Sequence, residues 1–446
     1  LMTGNLKSAR WQQIRVINLA LFTILYILRR PADALYPSVW SEDGVINIPQ
    51  AIEHGWSSLL IPVSGYLLIP SKVVTLLSLS ISGLFYPEVA YVLTLICTIL
   101  VITILTSSLI ELPKKEYLPI IIALLPYGPE VFSTPLYVFW WTSLLLLVPL
   151  FYSTNSDKKT FPWINIGSTI IACLSSPLSI LLMPAMMLKT YITRSRLSYI
   201  VLAIWTALSA IQMYFSLNQV SGERDFSNLH MVLPKFLGSY IIYDRFFITP
   251  NPASYILSVV FLLAGCLALY FTLIVKRQEF FNTSAAFLAV LSTMLASWLR
   301  ISILEIDPIL GGSRYFFFPY VFISIFLITS YSIPSRSISP VPKRFLTTIC
   351  TFGLVASCTA TWIQDPSNFY RIHHPLNWRH ELYNCLASSD TYSLKIHTSG
   401  DRGHLWNREY SREECLKIAQ SGILANWYGV DKNWLQRFKE SPNIEL

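Results

Sequence analysis

The chain has 446 residues, 53% of them hydrophobic and only 13% charged, with a formal net charge of +8. A soluble domain carries about a quarter charged residues, so this chain could not cover its own surface in water. Apolar runs such as 89–110, 198–217 and 255–275 have the length, roughly 20 residues, that crosses a bilayer as helix. Nucleic-acid binders and soluble enzymes are thereby excluded as primary readings, and the short alternating segments of a transmembrane β-barrel are not what these runs look like.

The pattern predicts an all-α polytopic membrane protein with about eleven spans, near 13–29, 89–111, 117–127, 136–152, 162–175, 178–192, 197–218, 255–275, 284–304, 316–333 and 346–363. Pro126, Pro129, Pro135, Pro177 and Pro184 fall among the shorter ones, which predicts broken or tilted helices inside the bundle. Span one lacks a small-residue cleavage site and ends in Arg29-Arg30, so it reads as an anchor and not as a removed signal peptide. Residues 72–85 (KVVTLLSLSISGLF) could be mistaken for a span; they read as a helix lying at the outer interface, because a crossing would move every later basic loop outside. Placing the N-terminus in the cytoplasm gives inner segments with 15 basic and four acidic residues, outer loops with 8 and 11, and a tail from 364 with 10 of each. Lys and Arg are retained inside, so the basic balance is explained by topology. The expected division is a membrane domain over 1–363 and an extracytoplasmic domain over 364–446.

Few ionisable residues fall within the spans, Arg300 and Glu111 near their ends being exceptions, and no internal repeat is evident, which argues against a coupled transporter. The inner loops are too short for a nucleotide-binding domain and hold no glycine-rich phosphate loop. The large hydrophilic pieces, 30–88, 219–254 and the tail, face outward, so an active site would lie there. In the first outer loop, Glu42-Asp43-Gly44 is flanked by Tyr36, Trp40 and Trp56. A carboxylate at the bilayer surface can be desolvated and tuned as a general base, and the aromatics can stack on a sugar; the plainer reading is a solvated turn.

This organisation resembles the GT-C glycosyltransferases, polytopic enzymes that use polyprenyl-phosphate-linked sugars, and most closely those acting on bacterial surface polysaccharides. Ser41-Glu42-Asp43-Gly44 stands at that family's acidic motif, and 46–55 and 71–82 stand at its membrane-lying jaw helices. One departure is the order Glu-Asp, which leaves open which carboxylate acts. The resemblance implies inverting transfer of a sugar to a surface glycan or lipid-linked saccharide at the outer face of the bacterial inner membrane. Asp43, or Glu42, would be the base. No cofactor is required, although a divalent cation at Glu42/Asp43 is left open, and the chain would act as a monomer.

Under the resemblance the outer turn carrying Glu130, Tyr137, Trp140 and Trp141 lines the sugar site; the bland alternatives are a helix-capping acid and an interfacial tryptophan belt. Arg314, in Gly311-Gly312-Ser313-Arg314-Tyr315, would hold the lipid phosphate, with snorkelling as the alternative. Arg245, Lys72 and Arg300 are weaker candidates for that task, and Tyr66 and Tyr315 complete the expected substrate contacts. The tail is expected to close over the site or grip the acceptor. Cys385 and Cys415, alone in the outer tail, are expected to form a disulfide closing a 30-residue loop. Tail residues His373, His374 and His380 lack zinc-ligand spacing. Competing functions are a lipid-linked glycan flippase or exporter without chemistry, and an outer-face polysaccharide polymerase or ligase.

Overall fold

The computed structural model describes residues 2–153, 162–217, 228–242, 250–275, 278–308, 312–332, 348, 350–359, 376–397 and 405–425. Most of these are helical. Among the described residues, five helices are long and apolar enough to cross a membrane: Trp11–Arg29, Tyr86–Leu105, Arg196–Leu217, Phe281–Arg300 and Ser313–Tyr331. The first and third leave much of their surface outside the protein, whereas the last is almost wholly enclosed, as a bundle's outer and central helices should be.

The expected span 255–275 is matched by the 24-residue helix Pro252–Val275, whereas several others are short or broken. Leu118–Leu124 stops before Pro126, and the 136–152 segment is built from Val138–Ser143, a 3-10 turn and Leu147–Phe151. The 178–192 segment is split into Leu178–Leu181 and Met183–Thr193, with Pro184 in the first turn of the second piece. Proline lacks the amide proton that a continuing helix needs. These short pieces sit in the interior: residues 136–151 are all buried, which lets neighbouring segments shield their interrupted backbone. Arg29 contributes directly. Its guanidinium donates to the carbonyls of Ala123 (3.0 Å), Leu125 (3.3 Å) and Tyr127, closing the end of helix Leu118–Leu124 where carbonyls lack helical partners.

In the first outer loop a π-helical turn, Asp43–Asn47, runs into helix Ile48–His54, and helix Ile69–Ile81 follows after a loop. Ile69–Ile81 has 13 residues, short of the roughly 20 that a crossing takes.

An all-α chain is not what the tail contains. Strands β1 (Thr391–His397) and β2 (Leu405–Ser411) pair antiparallel, from Thr391 opposite Ser411 to His397 opposite Leu405. The alternation of Tyr392, Leu394 and Ile396 with polar residues is a strand pattern, and Leu394 and Ile396 are the buried members. Helices Trp378–Ala387 and Arg412–Ala419 flank the sheet, the second opened by a Ser411/Glu414 capping box. Cys385 and Cys415 form a disulfide between these helices, with Cα atoms 6.3 Å apart.

The described tail has no core of its own. Trp378, Leu382, Ile396, Tyr410 and Ile418 share one cluster with Val39, Ile48, Leu76 and Leu79 of the first outer loop. At the junction Gly83 donates to the Ser421 carbonyl (3.1 Å), and Ile423 and Leu424 donate to Ser80 and Ile81 (3.0 Å each). A Cβ on Gly83 would run into the Ile418 carbonyl, and one on Gly422, at φ +92°, into the Ile81 backbone. Glycine is what allows the two backbones to approach this closely. The tail and the loop between the first two long helices therefore make one cap on the helical bundle.

Candidate functional site

A cavity of about 700 Å³ opens where the cap meets the bundle. Its polar wall holds Glu42 from the cap, Tyr66 from the following loop, Trp140, Arg300 at the end of helix Phe281–Arg300, and Arg314 and Tyr315. Apolar side chains, Leu178, Leu181, Met213, Leu217 and Phe318, line it as well. A cavity lined by both ionic and apolar groups suits an amphiphile.

The two adjacent carboxylates part company here. Asp43, 1% exposed, accepts hydrogen bonds from Asn47 Nδ2 at Oδ1 and from the Leu136 amide at Oδ2, both 3.0 Å. It lines a separate, much smaller space beside Tyr86 and Ser133. Burial pushes its carboxyl up to about 7, against the pull of the Asn47 and Leu136 hydrogen bonds. Its place is that of a staple between the loop that follows the first long helix and the turn before Val138. Glu42 lines the large cavity, and its Oε2 is buried with no hydrogen-bond partner among the described residues. The Trp140 indole N–H on the same wall is buried and unpartnered in the same sense. Buried polar atoms are nearly always satisfied, so these two, with the Ser216 hydroxyl that is likewise unpartnered among the described residues at this cavity, are places where a ligand has something to add.

Arg314 is held by Glu130 and does not hang free at the interface. The two form an ion pair, the Arg314 amide and the Ser313 hydroxyl donate to Glu130 Oε2 at 3.1 Å each, and the Tyr137 hydroxyl donates to Oε1 at 3.1 Å. Gly312, at φ +66°, makes the turn that aims this amide at the carboxylate. Burial would raise the Glu130 carboxyl, but the Arg314 charge and these hydrogen bonds outweigh it and hold it below its usual range. Glu130 is thus a partner of Arg314 and not a cavity-lining residue. Arg300 differs: its guanidinium carbon lies 5.6 Å from the Tyr66 ring centroid, and no carboxylate pairs with it among the described residues. Burial raises the Tyr66 hydroxyl to about 12, so Tyr66 stays a neutral hydrogen-bond donor.

Three further expected contacts lie away from the described cavity. Trp40 does not face the cavity; 2% exposed, it donates from Nε1 to Asp33 Oδ1 (2.8 Å), stacks on His397 and lies under the Arg30 guanidinium. Trp141 is fully buried, donates to the Val131 carbonyl at 2.8 Å and packs among Phe22, Tyr26, Phe132 and Phe317; its neighbour Trp140 is the one on the wall. Lys72, 2% exposed, donates to Gln50 Oε1 (2.7 Å) and the carbonyls of Ser58 and Ile61 (2.6 Å each), and so braces the cap instead of meeting phosphate. Arg245 and His373 and His374 lie outside the described residues. None of the described tail residues lines the cavity, so a grip on the acceptor is not their visible role. The residues that the sequence did not point to are the Arg30–Asp33 pair, buried at three-residue spacing, and His397 and Tyr410, discussed below.

Glu42 is the one acidic residue among the described cavity lining, and among the described residues no three Asp, Glu, His or Cys side chains gather as a metal site would need. Compared with protein-family models, with curated proteins and with solved structures, the chain matches none. What stands on the chain itself is its class: apolar helices of bilayer-crossing length, under a cap, with an ionic cavity between them.

Proposed function

We propose that this protein is an inverting glycosyltransferase that moves a sugar from a polyprenyl-phosphate donor to a saccharide acceptor at the outer face of a bacterial inner membrane. The observation that carries the reading is a cavity lined by a buried carboxylate oxygen, Glu42 Oε2, and an arginine, Arg300, that have no hydrogen-bond partner and no carboxylate partner respectively among the described residues, together with apolar side chains. A lipid-linked sugar phosphate is an amphiphile whose three parts match these three features.

In the proposed step Glu42 takes the proton of the acceptor hydroxyl as that oxygen bonds to the anomeric carbon. The bond from that carbon to the phosphate oxygen breaks on the opposite face, and the electron pair leaves with the phosphate. Arg300 meets the growing negative charge, where an oriented cation is most effective. Arg314, neutralised in part by Glu130, holds the shape of the wall. Trp140 Nε1 donates to a sugar oxygen. Asp43 fixes the turn that carries Glu42.

The sidedness has support of two kinds. The tail and the first outer loop share one core, so both belong on one side, and the Cys385–Cys415 disulfide suits an oxidising compartment. Excess Lys and Arg in the alternate loops support a cytoplasmic N-terminus, and reading about eleven apolar segments as crossings goes with a periplasmic C-terminus.

The test compares surface glycans, by mass spectrometry, from a strain lacking the protein, from its parent, and from the deletion strain carrying Glu42→Gln at equal membrane level. We expect one decoration to vanish on deletion and to stay below the parent by a factor of about 10² or more with Glu42→Gln, the scale of a lost general base. Full decoration by Glu42→Gln would remove the base assignment; unchanged glycans on deletion would remove the transferase.

A further inference from the structure

Ser41, the residue before Glu42, has φ +36°. For a residue with a Cβ this left-handed backbone is unfavourable and persists only where the surroundings impose it. The surroundings that impose it come from the far end of the chain. His397, the last residue of β1, donates its amide to the Val39 carbonyl at 3.2 Å and accepts from the Ser41 hydroxyl at 3.4 Å. Its ring stacks on Trp40, with centroids 4.7 Å apart. From β2 the Tyr410 hydroxyl donates to the Gly44 carbonyl and the Arg408 guanidinium to the Val45 carbonyl. The Ile396 side chain lies where a Cβ on Gly44 would go, so the sheet packs directly on the turn's backbone.

Residues 39, 40, 41, 44 and 45 are therefore each tied to the tail hairpin, while the side facing the bundle is held by Asp43 and Leu136. Glu42 is the residue between these restraints whose side chain lines the cavity. We propose that the tail hairpin is a positioning device: His397, Arg408 and Tyr410 hold the strained 41–44 turn and so set the Glu42 carboxylate at the cavity wall. The hairpin acts through that turn and touches no substrate. The catalytic part of this inference rests on the transferase reading above; the structural part does not.

The test uses the full-length protein in lipid vesicles and two measurements on four forms: wild type, Tyr410→Phe, Arg408→Gln and Tyr392→Phe. Tyr392 is the control. It sits on the same hairpin, but its hydroxyl bonds Glu381 and Asn384 within the tail. Amide hydrogen exchange over 39–47 should quicken by about tenfold in Tyr410→Phe and Arg408→Gln and stay at the wild-type rate in Tyr392→Phe, because local opening follows local restraints. Glycan decoration in cells, at equal membrane level, should fall by about tenfold in the first two variants only, since small misplacement of a reacting group is costly. Wild-type exchange in both test variants would overturn the clamp, as would equal quickening in Tyr392→Phe. Quickened exchange with full decoration would overturn the positioning of Glu42. If the deletion strain's glycans match its parent's, the transferase reading fails on its own, and the exchange rates still decide whether the hairpin holds the turn.

Discussion

The bundle and the cap are stabilised in different ways. Around Trp141 the bundle is a mass of aromatic and aliphatic side chains, Phe22, Tyr26, Phe132 and Phe317 among them, and most of its helices satisfy their own backbone. The cap has a much smaller apolar cluster and is joined by backbone hydrogen bonds between residues more than 300 positions apart, as at Gly83–Ser421 and Val39–His397. The cavity draws on both: its carboxylate comes from the cap and its arginines from the bundle. Their relative placement is therefore only as firm as the cap's attachment.

Three further measurements sharpen that contrast, beginning with the largest effect. Arg314→Ala leaves Glu130 buried and unpaired, which should cost about 3 kcal/mol or more, seen as a lowered thermal midpoint in detergent. Arg300→Ala has no such partner to strand and should leave the midpoint nearly unchanged while weakening use of the lipid donor. Equal midpoints for the two would erase the distinction drawn between the arginines. The double variant Glu130→Gln/Arg314→Met should recover most of the lost stability.

Breaking the Cys385–Cys415 bond with paired serines should cost the cap about 2–4 kcal/mol. Limited proteolysis should then cut the tail readily while the bundle fragment resists; a bundle that becomes sensitive at the same protease concentration would show that the two regions unfold together.

The smallest effect is one of pH. Asp43 holds its proton up to about 7 in the folded chain, against an ordinary 3.8. The folded state binds this proton more tightly than the unfolded one, so its contribution to stability is whole below about pH 4 and is lost as pH rises through about 7. Cap stability, followed by hydrogen exchange, should decline across that interval in the wild type. Asp43→Asn should flatten the decline, and an unchanged slope would place the titration elsewhere.

Hydropathy marked where helices would run, and the prolines marked where they would break, because both act through neighbouring residues. The Cys385–Cys415 bond was legible for a similar reason: two cysteines stood apart from all the others in the polar tail. Site residues were harder. Trp140 and Trp141 are identical in type and adjacent in sequence, yet they point about 100° apart around a helix, and only one reaches the cavity. Glu42 and Asp43 divide in the same way between a large space and a small one. Lys72 carries the charge a phosphate needs, but three oxygens of the cap already hold it. The strand in the tail was visible as alternation in Tyr392, Leu394 and Ile396, a signal too short to stand out beside so many helices.

The order of residues alone determined that this is a chain rich in apolar helices, because the free energy of leaving water adds up segment by segment and needs no knowledge of neighbours in space. Which carboxylate meets the cavity, which arginine is already spent on Glu130, and that a hairpin near the C-terminus grips the turn before Glu42, were decided by the tertiary structure. Those outcomes depend on contacts between residues up to 366 positions apart, and such contacts exist only once the whole chain has packed.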